Sequence, residues 1–492
     1  MAHRTLINGT GYNVIGGNAQ VDGTGYKISK GRTLVDGTGY DINFIPPAYA
    51  MLYEDGDMVF QRGARVIEGK TLSNSYTGFE DVSYLSYRNV PWYSKISNIK
   101  NVLTQDEFAP ISLLSWFYNA GNLVAVDLGN MNWNNVINMY GTYYNCRNLV
   151  SYPVCGNNVK DMSLTYAYCA NLIGSPACGD NVVNMVSTYC NCRNLTGSPV
   201  CGKSVVRMEG SYDNCYNLTG APVCGENVVN MQSTYANCFN LTGAPICGPN
   251  VNKMYTTYYN CYSLTGSPVC GDKVVSMQGT YQFCTNLTGS PVCGPNVTDM
   301  GSAYYGCRNL TGNPVCGPSV NTMRNTYTNC FNLTGNPVCG DNVVSMANTY
   351  RLCNRITGNP VCGPNVTNMH GAYYCCYNLT GAPACGPNVV NMRSAYYNCS
   401  NVTGNAYFYS DKVNDAAQCF SGRNTKSILN IYVNSGTTTL NTLLWNNAAS
   451  IVNGALTWTD DVATNGYHYN ETYNIYIYPV ENVHNARIAN GE

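Results

Sequence analysis

The sequence carries little charge. Asp, Glu, Lys and Arg make up 11% of its 492 residues, and the formal net charge is −1. An ordinary globular chain contains about 25% charged residues. With no basic excess, the chain lacks the electrostatic field that draws a protein to nucleic acid or to an anionic membrane surface. We therefore expect no nucleic-acid partner.

Long apolar runs are also missing. No stretch of about 20 apolar residues occurs, so the sequence predicts no membrane insertion. The first residues, MAHRTLINGTGYNVIGG, lack the apolar segment of a secretory signal peptide. We therefore expect synthesis in a cytoplasm and no export through a signal peptide.

Residues with catalytic potential are sparse. The four histidines are His3, His370, His468 and His484, and none stands in a visible nucleophile–base pattern. No paired carboxylates stand out as a general acid and base. The sequence therefore predicts neither an enzyme nor a cofactor site.

What the sequence has in abundance is a repeat. One cysteine series runs from Cys146 to Cys399 and a second from Cys155 to Cys385, both with a constant 23-residue step. A methionine series from Met139 to Met392 and a tyrosine series from Tyr143 keep the same step, with twelve members each. A fixed period with fixed apolar positions is typical of a solenoid, in which each coil buries its neighbours' apolar side chains.

One repeat unit reads NLTGAPVCGENVVNMQSTYANCF at residues 217–239. Met231, Tyr235 and Cys238 have the spacing of one face of a short helical segment. The run 218–223 is short and predicts an extended strand, although Pro222 weakens its ladder. Gly225 is expected to supply the turn that leaves the strand.

The 26 cysteines allow three interpretations. Their spacings of 9 and 14 do not fit the close pairs of a zinc site. Disulfides within a coil, such as Cys238–Cys247, are conceivable but are opposed by cytoplasmic synthesis. We favour buried, reduced thiols that pack as small apolar groups, and no metal. The recurring Asn-Leu-Thr is interpreted as a structural ladder of asparagines rather than as glycan acceptors.

The repeat unit resembles the leucine-rich repeats of BspA-like, Treponema pallidum-type proteins, which share its length, its NLT start, its V-x-x-M middle and an aromatic residue before a Cys. Residues 116–146 resemble a related repeat of bacterial surface proteins. In that first coil, the step from Phe117 to Tyr143 is 26 residues. The T-G-x-P-V-C segment departs from the β-branched strand of the family.

The flanks carry other patterns. Gly-Thr-Gly-Tyr recurs three times in 14-residue units, at 9–12, 23–26 and 37–40, and predicts three β-hairpin-like elements. Another hairpin is predicted in MLYEDGDMVFQRG, with its turn at Asp55-Gly56. These segments resemble the N-terminal parts of phage and prophage tail-associated structural proteins. The resemblance implies that this end docks onto other virion structural proteins.

Together these observations predict a leucine-rich-repeat-like, right-handed solenoid of about twelve 23-residue coils, each with a short strand and a short helical turn. The predicted domains are a β-rich N-terminal anchor at 1–45, a β hairpin and cap at 46–115, the solenoid at 116–404 and a β-rich C-terminal cap at 405–492. Strands are expected at 428–433 and 473–478.

The candidate binding residues lie where the repeat varies, at positions one, five and eight after each methionine or its equivalent. Tyr, Phe and Arg recur there, and these types are enriched in binding hot spots. We call this set the aromatic–arginine stripe. It comprises Tyr140, Tyr255, Arg324, His370 and Arg393 at position one; Tyr144, Tyr259, Tyr305, Tyr374 and Tyr397 at position five; and Arg147, Tyr216, Phe239, Tyr262, Arg308, Phe331 and Tyr377 at position eight.

The sequence therefore favours a particle-associated adhesion protein of a phage virion, in which the stripe contacts a glycan or protein of the host cell surface. One alternative is a structural or decorating virion protein with no receptor, whose faces pack against further copies. Another is an adhesin on the bacterial surface, with an extracellular location.

Overall fold

The computed structural model describes residues 3–7, 10–15, 18–21, 24–28, 44–423, 427–434, 467–470 and 474–491. The chain divides into two compact units, residues 1–195 and 196–492. The first unit begins with an antiparallel meander of five strands in chain order: β1 (His3–Ile7), β2 (Thr10–Ile15), β3 (Asn18–Val21), β4 (Thr24–Ile28) and β5 (Phe44–Ile45).

The first two Gly-Thr-Gly-Tyr units contribute to antiparallel strand pairs, as the hairpin-like prediction requires. Thr10 pairs with Ile7 and Thr24 pairs with Val21, so each Thr-Gly-Tyr begins a strand. The two residues between the paired ends, Asn-Gly and Asp-Gly, are the pairs typical of two-residue hairpin connections. The third unit, at 37–40, lies outside the described residues.

A second sheet of the first unit has the strand order β10-β9-β7-β6-β8. Its strands are β6 (Ala48–Tyr53), β7 (Asp57–Arg62), β8 (Leu72–Thr77), β9 (Asn101–Thr104) and β10 (Ala125–Val126). The antiparallel β6–β7 hairpin confirms the predicted turn, where Gly56 has a φ of 98°. Short 3₁₀ helices follow at Tyr87–Asn89, Tyr93–Asn98 and Trp133–Asn135. Because β7, β9 and β10 are parallel, this sheet begins the coiling of the chain.

Within each unit, the 23-residue coils stack in parallel register, as predicted. Single β-bridges join equivalent residues of successive coils, such as Asn138 with Asp161 in the first unit and Asn230 with Lys253 in the second. In the second unit, alternate amides of one segment donate to backbone carbonyls of the next coil at distances of 2.7–3.0 Å, and they belong to Met231, Ser233, Tyr235 and Asn237. Every other amide of this segment therefore reaches the next coil.

The predicted helical turn is wrong. Residues 231–238 form linked turns, in which Thr234 donates to the Met231 carbonyl and Cys238 to the Tyr235 carbonyl. The positions two and six after the methionine, Ser233 and Asn237, have φ angles of 52° and 60°. An α-helix cannot contain left-handed residues at these positions. The predicted burial of methionine, tyrosine and cysteine on one side is nevertheless confirmed.

The predicted strand at 218–223 is also absent, and a tyrosine side chain holds this segment instead. The Tyr235 hydroxyl donates to the Val223 carbonyl at 2.5 Å and accepts from the Val223 amide at 3.0 Å. The same two bonds join eleven tyrosines to the residue twelve positions earlier, and the tyrosines are Tyr166, Tyr189, Tyr212, Tyr235, Tyr258, Tyr281, Tyr304, Tyr327, Tyr350, Tyr373 and Tyr396. This pairing satisfies partly buried backbone groups that a strand ladder would otherwise satisfy.

The coil interior consists of columns of identical side chains. The rings of Tyr258, Tyr281 and Tyr304 stack nearly parallel, with centroids 5.5 and 5.6 Å apart. In the adjacent column, the Cys261 thiol donates to the Tyr235 carbonyl, with an S–O distance of 3.0 Å. Tyrosine and cysteine therefore bury their polar atoms only with a hydrogen-bond partner in these coils, as burial of a polar group requires.

Two glycines have different roles in each coil. Gly220 has a φ of +83°, which a side chain rarely adopts. Gly225, expected to make the turn, does not have positive φ; a Cβ atom there would lie 3.1 Å from the Cys201 sulfur of the preceding coil. That glycine is therefore needed for close approach between coils.

The asparagine ladder forms mainly at another position than the predicted one. The side-chain amide of Asn227 donates to the Lys203 carbonyl and that of Asn250 to the Glu226 carbonyl, and both belong to the G-x-N-V motif. The Asn-Leu-Thr asparagines are mostly exposed, as at Asn217 and Asn240. The second asparagine of the unit therefore makes most of the coil-to-coil side-chain bonds, while in the Asn-Leu-Thr series Asn194 donates to the Asn171 side chain and Asn378 to the Asn354 carbonyl.

The second unit ends with an extra coil and a sheet of order β11-β12-β14-β13. The strands are β11 (Gly404–Phe408), β12 (Leu429–Asn434), β13 (His468–Asn470) and β14 (Ile475–Val480), and the helix α1 (Val483–Ala489) follows. β12 and β14 confirm the two predicted strands within two residues. Phe420 stacks on Tyr396 at 5.6 Å, so the core column continues one coil beyond the strict period.

Candidate binding surface

All seventeen residues of the aromatic–arginine stripe reach the surface of the unit to which they belong. None is buried, and the most exposed tyrosines are Tyr377, Tyr262, Tyr255 and Tyr140, with 43, 40, 39 and 38% of their surface accessible. The left-handed residues at positions two and six explain this placement, because they rotate the intervening side chains away from the buried column. The role of these residues in binding stays a prediction.

At position eight, the second unit carries an aromatic stack. Phe239 lies between Tyr216 and Tyr262, with ring centroids 4.7 and 5.3 Å away and interplanar angles of 11° and 20°. Both faces of the Phe239 ring are therefore covered by neighbouring rings, and a partner can reach this ring only at its edge. Such offset stacking fixes the side chains before any partner arrives.

A second aromatic cluster includes a residue that the sequence analysis missed. Phe283 lies 6.2 Å from Tyr259 and 5.1 Å from Tyr305, edge to face in both cases. It stands at position six, where most coils have asparagine, and its φ is 63°. Gly306 makes room for its ring, because a Cβ atom there would lie 2.7 Å from Phe283 Cδ1. The signal in the sequence was the interruption of the asparagine column.

Cations accompany the aromatic rings in the second unit. The Arg308 guanidinium lies 5.8 Å from the Phe331 ring centroid, and that of Arg351 lies 3.9 Å from the ring of Tyr374. Tyr374 also stacks on Tyr397 at 4.6 Å. Arg351, at position five, was not among the predicted residues, although it occupies a predicted position.

The positive charge of Arg393 affects the ionisation of His370. Burial lowers the pKa of His370, and the positive charge of Arg393 lowers it further. Arg393 lies 3.9 Å from Asp415 across an exposed ion pair, a contact of small energy. His370 is therefore neutral near pH 7 and acts there as a polar surface side chain.

The first unit has its own aromatic row. Tyr87 stacks on Tyr118 at 4.6 Å, Tyr118 on Tyr144 at 4.5 Å, and Tyr168 meets Tyr144 edge to face at 5.5 Å. The sequence analysis predicted only Tyr144. Tyr118 follows Leu113 by five residues, so the position-five rule identifies it once Leu113 is aligned with the methionines.

All 26 cysteines lie within the described residues, and none of them is in a disulfide. In the fully buried column, burial places the pKa of Cys238 well above its ordinary value. In the partly exposed column, burial raises the pKa of Cys155 to about 11 and that of Cys224 to about 12. Within the described residues, no group of three or more His, Cys, Asp or Glu side chains is placed to hold a metal ion.

In the part of the chain that the structure describes, no helix has both the length and the apolar character needed to cross a membrane.

No protein-family model matches the chain, and no curated protein matches it. Two solved structures are similar in fold. One is a leucine-rich repeat protein from Bacteroides ovatus, with 12% identity, a TM-score of 0.48, and coverage of 80% of this chain and 94% of that chain. The other is a leucine rich cell surface protein from Faecalibacterium prausnitzii, with 12% identity, a TM-score of 0.34, and coverage of 76% and 96%. The resemblance of the flanks to phage proteins gains no support from these comparisons.

Proposed function

We propose that this chain is a non-enzymatic adhesion protein that binds a protein partner through the aromatic–arginine stripe. The observation that carries the proposal is the stack of Tyr216, Phe239 and Tyr262, whose rings are partly exposed and already ordered. Aromatic residues fixed in their bound geometry lose little conformational entropy on association. Surface positions that bind no other molecule would have no such reason to be aromatic in three successive coils.

The backbone at Phe283 supports the same proposal. Left-handed φ costs about 1–2 kcal/mol for an ordinary side chain, whereas asparagine tolerates it. Phe283 and Tyr168 both hold φ above 60° and present aromatic rings at the surface. Local strain of this kind is found where a side chain is needed for function.

The geometry favours a protein over a glycan as the partner of the stripe. A sugar ring stacks on a free aromatic face, but the faces of Phe239 are occupied by Tyr216 and Tyr262. Ring edges with adjacent guanidinium groups, as at Arg308 and Phe331, instead match the aromatic and arginine anchors of protein interfaces.

We further propose that the protein acts at a bacterial cell surface. The support is the resemblance of its repeat unit, and of residues 116–146, to repeats of bacterial surface proteins; no comparison connects this chain with a virion. Immunogold labelling of producing cells and of particles released from them distinguishes the two settings. Label on the cell envelope supports the proposal, and label confined to particles contradicts it.

The binding test uses one coil of the stripe. Full-length protein in which Tyr255, Tyr259 and Tyr262 are replaced by Ala is compared with wild type for binding to intact cells to which the wild-type protein adheres. Each aromatic anchor contributes about 1–2 kcal/mol, so the triple variant is expected to lose more than tenfold in affinity. Protease treatment of the cells should abolish the part of the binding that depends on the stripe, and glycosidase treatment should leave that part unchanged.

A matched control replaces three exposed residues outside the stripe, Glu226, Lys253 and Val275, by Ala. This variant should bind like wild type. Circular dichroism establishes that both variants remain folded. Equal binding by wild type and the stripe variant would overturn the proposal.

A further inference from the structure

The coil that contains Tyr143 breaks the rule that holds for the other coils of the described stack. The hydroxyl of Tyr166 is paired with the backbone of Val154, twelve residues earlier. The residue twelve positions before Tyr143 is Met131, but its amide donates to the Leu128 carbonyl instead. The Tyr143 side chain is 1% exposed, and its hydroxyl has no hydrogen-bond partner.

The break has a cause in the sequence. Phe117 and Tyr143 are 26 residues apart, three more than in a regular coil. The longer connection carries Asp127 toward β9, where its amide donates to the Val102 carbonyl at 2.8 Å. The backbone of this connection therefore forms no hydrogen bond with the Tyr143 hydroxyl. The Tyr143 ring still stacks on Tyr166, with ring centroids 5.2 Å apart.

A cavity of about 460 Å³ lies at this break, inside the first unit. Tyr143 lines it together with Trp133, Tyr152, Asp127 and Ser151. The volume falls in the range of sites for small ligands, about 300–1,000 Å³. An orphaned buried hydroxyl destabilises the chain that carries it, and a ligand that supplies a hydrogen bond removes that cost.

Two aromatic rings beside the cavity are held by glycines. A Cβ atom at Gly156 would lie 2.9 Å from Trp133 Cε3, and one at Gly174 would lie 2.2 Å from Tyr152 Cδ1. Any larger residue at either position would displace a ring. Tyr152 is 70% exposed and Trp133 is half-buried, so both rings keep surface that a ligand can contact.

The polar lining defines the class of ligand. All twelve lining residues lie within the described range 44–423; they include one carboxylate, Asp127, and no Lys or Arg. A carboxylate without a basic neighbour disfavours phosphate and carboxylate ligands. The buried Tyr143 hydroxyl requires a partner that forms hydrogen bonds, which a quaternary ammonium group cannot provide.

We propose that this cavity binds one ring of a neutral sugar. The apolar face of a pyranose packs on Trp133 or Tyr152, and its hydroxyl groups bond to Tyr143 and to the Asp127 carboxylate. Neutral sugars combine an apolar C–H face with several hydroxyl groups, which matches aromatic rings beside polar atoms. This site uses other residues than the stripe, so it stands or falls independently of the proposed function.

The first experiment titrates the full-length protein with neutral methyl glycosides of glucose, mannose, galactose and N-acetylglucosamine, with saturation-transfer NMR and calorimetry as readouts. At least one glycoside should bind. Tyr143→Phe should weaken that binding about tenfold, as expected for one lost hydrogen bond, and Trp133→Ala should weaken it further. Tyr255→Ala, in the stripe, is the control and should bind the glycoside like wild type.

The second experiment needs no ligand. Because the Tyr143 hydroxyl is unpaired, Tyr143→Phe should leave the thermal midpoint unchanged or raise it, whereas Tyr166→Phe should lower it. Phe117 occupies the equivalent site one coil earlier, so phenylalanine fits the column.

The proposal is overturned if none of the four glycosides binds at millimolar concentration. It is also overturned if tetramethylammonium or glucuronate binds at this cavity in preference to them. A destabilised Tyr143→Phe variant would show that the hydroxyl is already paired and would equally refute the site.

Discussion

The hydroxyl of Tyr281 is bonded to both backbone groups of Val269: it donates to the carbonyl at 2.6 Å and accepts from the amide at 3.0 Å. One side chain thus connects the two sides of a single coil. The segment that contains Val269 has no strand ladder, because the neighbouring Pro268 of the T-G-x-P-V-C motif lacks an amide hydrogen. The tyrosine column is therefore the main polar constraint on that side of the coil.

Replacement of Tyr281 by Phe should lower the stability of its coil by about 2 kcal/mol, because the partly buried amide and carbonyl of Val269 both lose their partner. Hydrogen exchange at the Val269 amide should accelerate by about 30-fold or more. Mass spectrometry of the exchanged peptide measures this. Unchanged exchange at Val269 would show that the tyrosine bonds add no protection.

Position six after the methionine, where the backbone is left-handed, allows backbone strain to be tested by exchanging leucine and asparagine between two coils. Leu352 and Asn329 occupy it in successive coils, both with φ of 63°. Leu352→Asn should stabilise the protein by about 1 kcal/mol and Asn329→Leu should destabilise it by a similar amount, since asparagine tolerates this conformation better. Urea unfolding measures both. A loss of stability in Leu352→Asn would contradict the strain argument.

Stability should fall at alkaline pH. Burial raises the pKa of Tyr281 well above its ordinary value of 10.0, and burial raises that of Cys224 from 9.0 to about 12. The unfolded chain therefore releases protons above pH 9 that the folded chain retains, so the stabilisation is complete below pH 9 and is lost as pH rises toward 12. Each fully buried group contributes about 1.4 kcal/mol per pH unit in its window.

Thermal unfolding followed by circular dichroism between pH 7 and pH 11 measures this loss. The hydroxyl groups of the buried tyrosine column should ionise together with unfolding rather than before it. Ionisation of the buried tyrosine column while the fold is intact would refute the burial of its hydroxyl groups.

The thiol columns should differ in reactivity, and both should react slowly. The thiolate is the reactive form, and a pKa of about 11 at Cys155 leaves about one thiolate in a thousand at pH 8. Iodoacetamide should modify the partly exposed series from Cys155 to Cys362 first and leave Cys146, Cys169 and their equivalents intact until the protein unfolds. Peptide mapping identifies the order. Early labelling of Cys238 would contradict its burial.

The sequence predicted the repeat period, the buried columns and the exposed stripe, because these depend on which residues recur at one position. It did not predict the local backbone. Met231, Tyr235 and Cys238 have helical spacing, and only the φ angles of Ser233 and Asn237 distinguish linked turns from a helix. Asparagine, serine and glycine at those positions were a signal for left-handed conformations.

The cavity beside Tyr143 could be anticipated only in part. The 26-residue step marked an irregular coil, but its consequence depends on where the three additional residues lie. Nothing in a sequence of regular tyrosines shows that one hydroxyl lacks the partner that the others have. Phe283 was missed for another reason, because position six was counted with the structural asparagines.

The spacing of the coil-to-coil bonds bears on how the length of this array can change. The bond from Met231 to Lys253 reaches forward to the next coil, whereas those from Asn227 to Lys203 and from Cys261 to Tyr235 reach back to the preceding one, and all three differ in sequence separation. Removal of one whole 23-residue unit brings equivalent donors and acceptors together again. Removal of 22 residues instead shifts the donors against the acceptors in all three kinds of bond. Whole-unit duplication and loss by recombination are therefore tolerated by the chemistry of the backbone, and single-residue indels within the array are not.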